Sequence, residues 1–408
     1  MIWHPFTAQL NADEPLKIVR AEKEYIYDAQ GRDYVDAIAS WWTMIHGHRH
    51  PAIVAAIEKQ LATLDHVLLA GFTHDAAEQL ADKLLDASGR AFSHVLFSDN
   101  GSGAVEIMLK LAVQYYQNTG NKGRRLFVKF DSAYHGDTFG AMAVGGASVF
   151  TQPYQELLFA THSLPYPTGN AASVVLSEFE IFLQQHEEEV AAIIIEPLIA
   201  AAGGMVFHTS ETLRQIAQLA AEYNVLLLCD EVFTGMGRSG VMLACQQAGI
   251  VPDMLALAKG LTGGSLPLAV TLVSEKIHSA FRVDDPAKTF YHGHTMTGNP
   301  VGCAAALASL ELLQSENRLD QVRRLEGMMQ SQWQRLLMLH GGKIASPRAL
   351  GAVSAANLVS STGASGYTSA AGKELRRVCL AEGVIIRPLG DVIYVTPPYN
   401  ISDAALER

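Results

Sequence analysis

Short, continuous apolar runs alternate with segments of helical periodicity through most of the 408-residue chain. The runs His94–Phe97, Leu126–Phe130, Ala192–Ile195, Val225–Cys229, Met254–Ala258 and Leu268–Val273 show no polar–apolar alternation. Strands covered on both faces have this pattern, as in a parallel sheet. Between them, Ala104–Tyr116 and Thr212–Tyr223 carry helical patterns. The alternation predicts a doubly wound α/β domain, with a mostly parallel sheet, over residues 46–290.

Beyond residue 290 the rhythm changes. Pro300–Ser315 and Leu319–Leu339 read as long helices. A strand at Val353–Val359, a helix at Ala370–Glu382 and strands at Val384–Arg387 and Val392–Thr396 follow, and another helix begins near Ser402. These predict a smaller α+β domain from residues 291–408. Residues 1–45, with a hairpin at Tyr25–Arg32, are expected to join it. Internal repeats and long linkers are absent from the sequence.

Composition narrows the function classes. Hydrophobic residues make up 49% and charged residues 17%, which excludes a disordered chain. The formal net charge of −11 disfavours nucleic acid as a partner. The most apolar window, Val190–Phe207, contains Glu196 and Pro197, so no membrane span is expected. The segment Met1–Pro5 lacks the features of a secretory signal. Cys229, Cys245, Cys303 and Cys379 are scattered and form no Cys-x-x-Cys, which suits a reducing compartment. A cytoplasmic enzyme is the expectation.

In open α/β sheets, ligands bind beyond the carboxyl ends of strands. Three apolar runs end in chemistry-bearing residues there: Asp230-Glu231, Glu196-Pro197 and Lys259-Gly260. Desolvation at the rim of a core lowers the pKa of a lysine, and such an amine can attack an aldehyde to form a Schiff base. A lysine that snorkels to solvent fits the same position. A carboxylate at Asp230 could hold a cationic ring nitrogen, as pyridoxal phosphate chemistry requires, or simply cap a turn. Asp99–Gly103 follows one strand and opens a helix, where free N–H groups favour a phosphate; a plain N-cap loop is the alternative.

Two motifs point elsewhere. Gly235–Gly240 matches G-x-G-x-x-G, but Asp230–Thr234 separates it from its strand and no acidic residue lies about twenty positions on. Dinucleotide binding is therefore not expected. His46-Gly-His48-Arg-His50 and His292-Gly-His294 lack a carboxylate at ligand spacing, so no metal site is expected at either. The intervening glycines suggest turns that approach another segment closely.

Taken in order, several motifs resemble the class III, fold-type I aminotransferases: Trp3-His-Pro5, Ser40-Trp-Trp42, Ile45-His-Gly47, Tyr134–Thr138, Ile195-Glu-Pro197, Asp230-Glu231, Gly235–Gly240, Lys259–Gly264, His292–Pro300 and Arg387-Pro388. The paired tryptophans and Arg387 narrow the resemblance to the biotin-synthesis branch, which aminates 8-amino-7-oxononanoate. The resemblance implies pyridoxal 5'-phosphate as cofactor, linked to Lys259, with Asp230 at the ring nitrogen and Tyr134 stacked on the ring near Asp137. Gly101 and Ser102 would bind the phosphate, completed by Thr295 of the partner subunit in a homodimer. Trp41, Trp42, Phe6 and Gly293 would line the substrate site, and Arg387 would pair with the substrate carboxylate. Glu196 and Arg238 would also line the site.

The resemblance has two departures. Members that use S-adenosylmethionine typically carry tyrosine where this chain has Phe6, so an aromatic surface remains without a hydroxyl. A sulfonium can still sit against aromatic faces, and both S-adenosylmethionine and lysine stay open as donors. The final helix is also shorter than in the family. Two rival functions remain: another class III ω-aminotransferase acting on ornithine, 4-aminobutyrate or a diamine, and a catalytically silent dimeric binding module.

Overall fold

A computed structural model of the chain describes all residues except Met1, Gln9, Asn11 and 360–369. The chain opens with strands β1 (Ile18–Glu22), β2 (Tyr25–Asp28) and β3 (Asp33–Asp36). Asp28 closes the β2–β3 hairpin by accepting the N–H groups of Gln30 and Arg32. Helices α1 (Pro51–Leu61) and α2 (Asp75–Ala87) precede β4 (His94–Ser98), α3 (Gly101–Thr119), β5 (Leu126–Phe130) and β6 (Thr161–Leu164). Then come α4 (Ala172–His186), β7 (Val190–Ile195), α5 (Ser210–Glu222), β8 (Leu226–Asp230), β9 (Met254–Leu257), β10 (Ala269–Val273) and α6 (Glu275–Ser279). The C-terminal part contains α7 (Pro300–Ser315), α8 (Arg318–His340), β11 (Ile344–Leu350), β12 (Val353–Leu358), α9 (Ala370–Ala381), β13 (Val384–Ile385) and β14 (Val392–Val395).

Seven strands form the central sheet in the order β4-β10-β9-β8-β7-β5-β6. Alternate residues of one strand enter different cores: Ile193 and Ile195 pack on one face, Ala192 and Ile194 on the other. Both faces are therefore covered, which explains why β7 and β8 read as unbroken apolar runs. β9, β8, β7, β5 and β6 pair in parallel, whereas β10 runs antiparallel to both β9 and β4. The expectation that Leu268–Val273 is one of the parallel strands is thus corrected. A run buried on both faces carries no signal for its direction. The reversal brings the start of β10, not its end, to the edge where the other strands finish.

Residues from both ends of the chain share the smaller sheets. β13 pairs in parallel with β3, giving the order β1-β2-β3-β13, and β11-β12-β14 make a three-stranded sheet. α7 starts with Pro300 after Asn299, whose side chain accepts the N–H groups of Val301 and Gly302. This helix packs against α1, α2 and the turn that carries Lys259. The expected strand Val384–Arg387 ends two residues early, leaving Arg387 outside the ladder. Among the described residues, no helix is long and apolar enough to cross a membrane.

Candidate active site

The strand ends converge because of register. Parallel pairing sets Asp230 at the end of β8 opposite Ala256 of β9, three residues before Lys259. β7 ends one residue before Glu196. β4 runs in the same direction as β9, since both are antiparallel to β10, and its end delivers Gly101 and Ser102 to the same edge. The segment after β5 adds Tyr134, His135 and Gly136, and all these residues line one cavity of about 420 Å³. Trp42 and Gly264–Leu268 complete its wall.

Lys259 lies in a left-handed turn, with φ +46°, directly after β9. Such a conformation is uncommon for a residue with a Cβ and is found at strained functional positions. Its Nζ lies 4.9 Å from the centre of the Trp42 ring and 6.0 Å from that of Phe233. Burial lowers its pKa to about 8, against the opposing pull of Asp230 and Glu196. An amine so placed keeps a minor but appreciable neutral fraction near physiological pH, far larger than that of an ordinary lysine, and is able to act as a nucleophile.

Asp230 is held from two directions. Its Oδ2 lies 2.7 Å from His135 Nδ1, and its Oδ1 accepts the Val232 N–H at 3.0 Å. His135 is buried, and its Nε2 has no hydrogen-bond partner among the described residues. Nearby, Glu196 accepts N–H groups from Tyr134 and Ala201. Burial nevertheless raises its pKa to about 7. The Tyr134 hydroxyl is also pushed upward, first by burial and then by the adjacent Asp137.

The start of α3 is built for close approach. Asn100 takes the Gly103 N–H on its side chain and the Ala104 N–H on its carbonyl. Gly101 and Ser102, ahead of them, retain the N–H groups that a helix leaves unpaired at its first turn. A Cβ on Gly136 would lie 2.0 Å from Ser102 Oγ, and one on Gly101 would lie 2.7 Å from Val232 Cγ1. Glycine at both positions is therefore a packing requirement of this cradle. An anion would be favoured there. The amine of Lys259, the carboxylate of Asp230 and this anion site surround a single cavity, an arrangement that fits a small aldehyde with a basic ring nitrogen and a phosphate.

The two tryptophans separate. Ala39, Ser40, Trp41 and Trp42 all have φ between +44° and +75°, forming a left-handed turn that costs roughly 1–2 kcal/mol per residue. Two contacts hold it. Ser40 Oγ donates to Asp36 Oδ2 at 2.7 Å, and the Arg238 guanidinium donates to the Trp42 carbonyl. Trp42, 3% exposed, enters the cavity wall, whereas Trp41, 37% exposed, lies outside it. The Arg387 guanidinium sits 4.5 Å from the centre of the Trp41 ring. Phe6 meets Trp41 edge-on at 5.3 Å and Phe150 at 5.5 Å.

Other expected positions have different settings. Arg238 is not in the cavity wall: it is buried, and its Nε donates to the Phe233 carbonyl at 2.8 Å. It therefore positions the Trp42 turn, because the strain there needs a fixed donor. Gly293 and Thr295 are exposed and lie apart from the cavity of their own chain. Two glycines of the G-x-G-x-x-G string make room for packing: a Cβ on Gly235 would meet Leu257 at 2.4 Å and one on Gly237 would meet Leu319 at 2.8 Å, whereas Gly240 faces open space. His46, His48 and His50 take separate partners, Ser309, Asp36 and Glu316. Gly47 approaches the Lys23 backbone, as its position between histidines suggests.

His135 and Phe233 escape sequence reasoning. The usable signal for His135 is its place between Tyr134 and Gly136 just beyond a strand; nothing in the chain order indicates that it meets Asp230.

Comparison with known proteins agrees with this chemistry. The profile of the family described as aminotransferase class-III matches residues 7–408. The chain is 44% identical to adenosylmethionine-8-amino-7-oxononanoate aminotransferase from Synechococcus elongatus, over 100% of this chain and 96% of that protein. It is 39% identical to the enzyme of that name from Geobacter sulfurreducens, over 98% and 92% of the two chains. The crystal structure of the Methanocaldococcus jannaschii protein of that name superposes with a TM-score of 0.93 at 34% identity, covering 99% and 94% of the two chains. An amine transaminase from an uncultivated Pseudomonas species, solved in its PLP-bound form, superposes with a TM-score of 0.93 at 30% identity, covering 99% and 95%.

Proposed function

The chain belongs to the class-III aminotransferases, and from that membership we propose that it aminates 8-amino-7-oxononanoate to 7,8-diaminononanoate in biotin biosynthesis, with S-adenosylmethionine as the amino donor. It is a pyridoxal 5'-phosphate enzyme. The observation that carries the substrate assignment is the Arg387 guanidinium over the ring of Trp41, the chain neighbour of Trp42 in the wall of the cavity shared by Lys259 and Asp230. Pyridoxal phosphate, when bound, supplies an aldehyde that exchanges amines and a ring that accepts electrons.

The chain's own residues would do the rest. Lys259 holds the cofactor between turnovers and moves the proton from the substrate α-carbon, which its lowered pKa favours. Asp230, oriented by His135, keeps a proton on the ring nitrogen. Tyr134 stacks on the ring. Gly101 and Ser102 hold the phosphate, and a homodimer would complete that site with Thr295 of the partner subunit. Trp42 and Trp41 wall the aliphatic chain of the keto acid, with Gly293 also contributing. Arg387 pairs with its carboxylate through a planar guanidinium fork. The faces of Phe6 and Trp41 suit a sulfonium. In this arrangement residues 46–290 form the cofactor domain, and residues 1–45 with 291–408 the domain that contacts substrate.

The likeness to an amine transaminase favours a second reading, an ω-aminotransferase acting on ornithine, 4-aminobutyrate or a diamine. Purified enzyme supplied with 8-amino-7-oxononanoate and S-adenosylmethionine should give 7,8-diaminononanoate by mass spectrometry. Product with lysine alone would move the donor assignment. Turnover of ornithine or 4-aminobutyrate, with 8-amino-7-oxononanoate inert, would establish the second reading. Absence of turnover with every pair would leave a binding module.

A further inference from the structure

At the edge of the central sheet opposite Lys259, three possible metal ligands meet. His94 is the first residue of β4 and pairs in register with Val273, the last residue of β10. α6 starts two residues later, with Glu275 and His278 on one helical face at a spacing of three. Glu275 Oε2 lies 3.9 Å from His94 Nδ1 and 3.8 Å from His278 Nδ1. All three ligand atoms fall within 4.8 Å of one another, and the imidazole rings stack with centroids 3.3 Å apart.

From this convergence we propose that His94, Glu275 and His278 bind a first-row divalent transition-metal ion such as Zn²⁺, outside the transamination site. A tetrahedral zinc with bonds of about 2.0–2.2 Å holds its ligand atoms roughly 3.3–3.5 Å apart. The two measured separations need to shrink by a few tenths of an ångström to match. Because the rings lie 18° from parallel with centroids 3.3 Å apart, one imidazole must also turn about its Cβ–Cγ bond so that both nitrogen lone pairs meet one ion. Two imidazoles and one carboxylate are a borderline-soft donor set, whereas calcium and magnesium favour oxygen alone. Among the described residues, the buried His278 Nδ1 has no hydrogen-bond partner. His94 Nδ1 meets Ser93 Oγ at 2.9 Å, a contact the ion would replace. Arg282 approaches the other carboxylate oxygen, Oε1 of Glu275, at 3.6 Å, leaving Oε2 for the metal.

The ion would tie α6 to the first residue of β4. A five-residue helix has few hydrogen bonds of its own, so an external tie has a large local effect. The site closes three of four tetrahedral positions, leaving one for water, and its role is structural.

Chelator-treated holoenzyme titrated with zinc chloride should bind one ion per chain at this site by calorimetry and native mass spectrometry, with an upward shift of Tm. His94→Ala with His278→Ala should weaken that binding roughly 10-fold or more and remove the Tm shift. Transamination without added zinc should equal that of the wild type, which also reports that the variant folds. If the double variant does not fold, Glu275→Gln and His278→Gln singly should each weaken zinc binding. Undetectable zinc binding, or affinity and stoichiometry unchanged in the folded variants, would overturn the assignment.

Discussion

His135 Nδ1 and Asp230 Oδ2 lie 2.7 Å apart, with both side chains buried. The pair joins the loop after β5 to the end of β8, so the orientation of the carboxylate depends on a residue 95 positions away. Removing the imidazole would leave a buried carboxylate one hydrogen bond short, a loss of about 1–3 kcal/mol. His135→Ala should therefore lower kcat/KM roughly 10- to 100-fold. A change in the visible band of the bound cofactor should accompany the loss, which a purely structural defect would not produce, and His135→Asn should restore part of the rate.

Lys259→Ala should bring transamination below detection while the protein still folds. Borohydride treatment of the wild type, followed by peptide mapping, should fix the cofactor to Lys259. Attachment to any other lysine would remove Lys259 from its role.

Arg387→Ala should raise KM for 8-amino-7-oxononanoate roughly 10- to 100-fold, as expected for loss of hydrogen bonds to a charged group. The KM of the donor should change little. Equal effects on both substrates would mean that the guanidinium on Trp41 serves some other purpose. Arg387→Lys should not rescue, since an ammonium cannot make the paired contact.

Glu196 gives a pH prediction. Burial raises its folded-state pKa from 4.5 to about 7, so the folded state keeps a proton that the unfolded chain releases between those values. Its contribution to stability is present below about pH 4.5 and is lost as pH rises through about 7. Glu231, buried and shifted in the same direction, adds to the trend. The Tm of apoenzyme should fall across this interval after other titrations are matched, and Glu196→Gln should flatten the slope. An identical slope in the variant would show that Glu196 titrates normally.

Much of this was legible in the chain. Asp230, Glu196 and Lys259 each follow an unbroken apolar run, so their meeting at one sheet edge is a consequence of parallel register. The direction of β10 was not legible, because burial on both faces erases the alternation that could distinguish its surroundings. β6, with the sequence Thr-His-Ser-Leu, lies at the sheet edge and is too polar to announce itself. The two tryptophans look equivalent in sequence, yet successive positive φ angles place one in the cavity wall and the other under Arg387. One of the two contacts that hold this turn comes from Arg238, 196 positions from Trp42, and no local pattern encodes that one.

The strand pairing around the tryptophans bears on how the protein is made. β3 waits for Val384 and Ile385 as its neighbours, Ala37 accepts an N–H from Thr396, and Ile45 accepts one from Tyr399. A nascent chain emerging from the ribosome can complete the lysine-bearing sheet while its substrate-facing corner still lacks these late partners. Contacts between segments so distant along the chain are costly to close. The corner that holds Trp41 and Trp42 is therefore a late-closing part of the fold, and a chain truncated before residue 384 would lack both the parallel strand partner of β3 and Arg387.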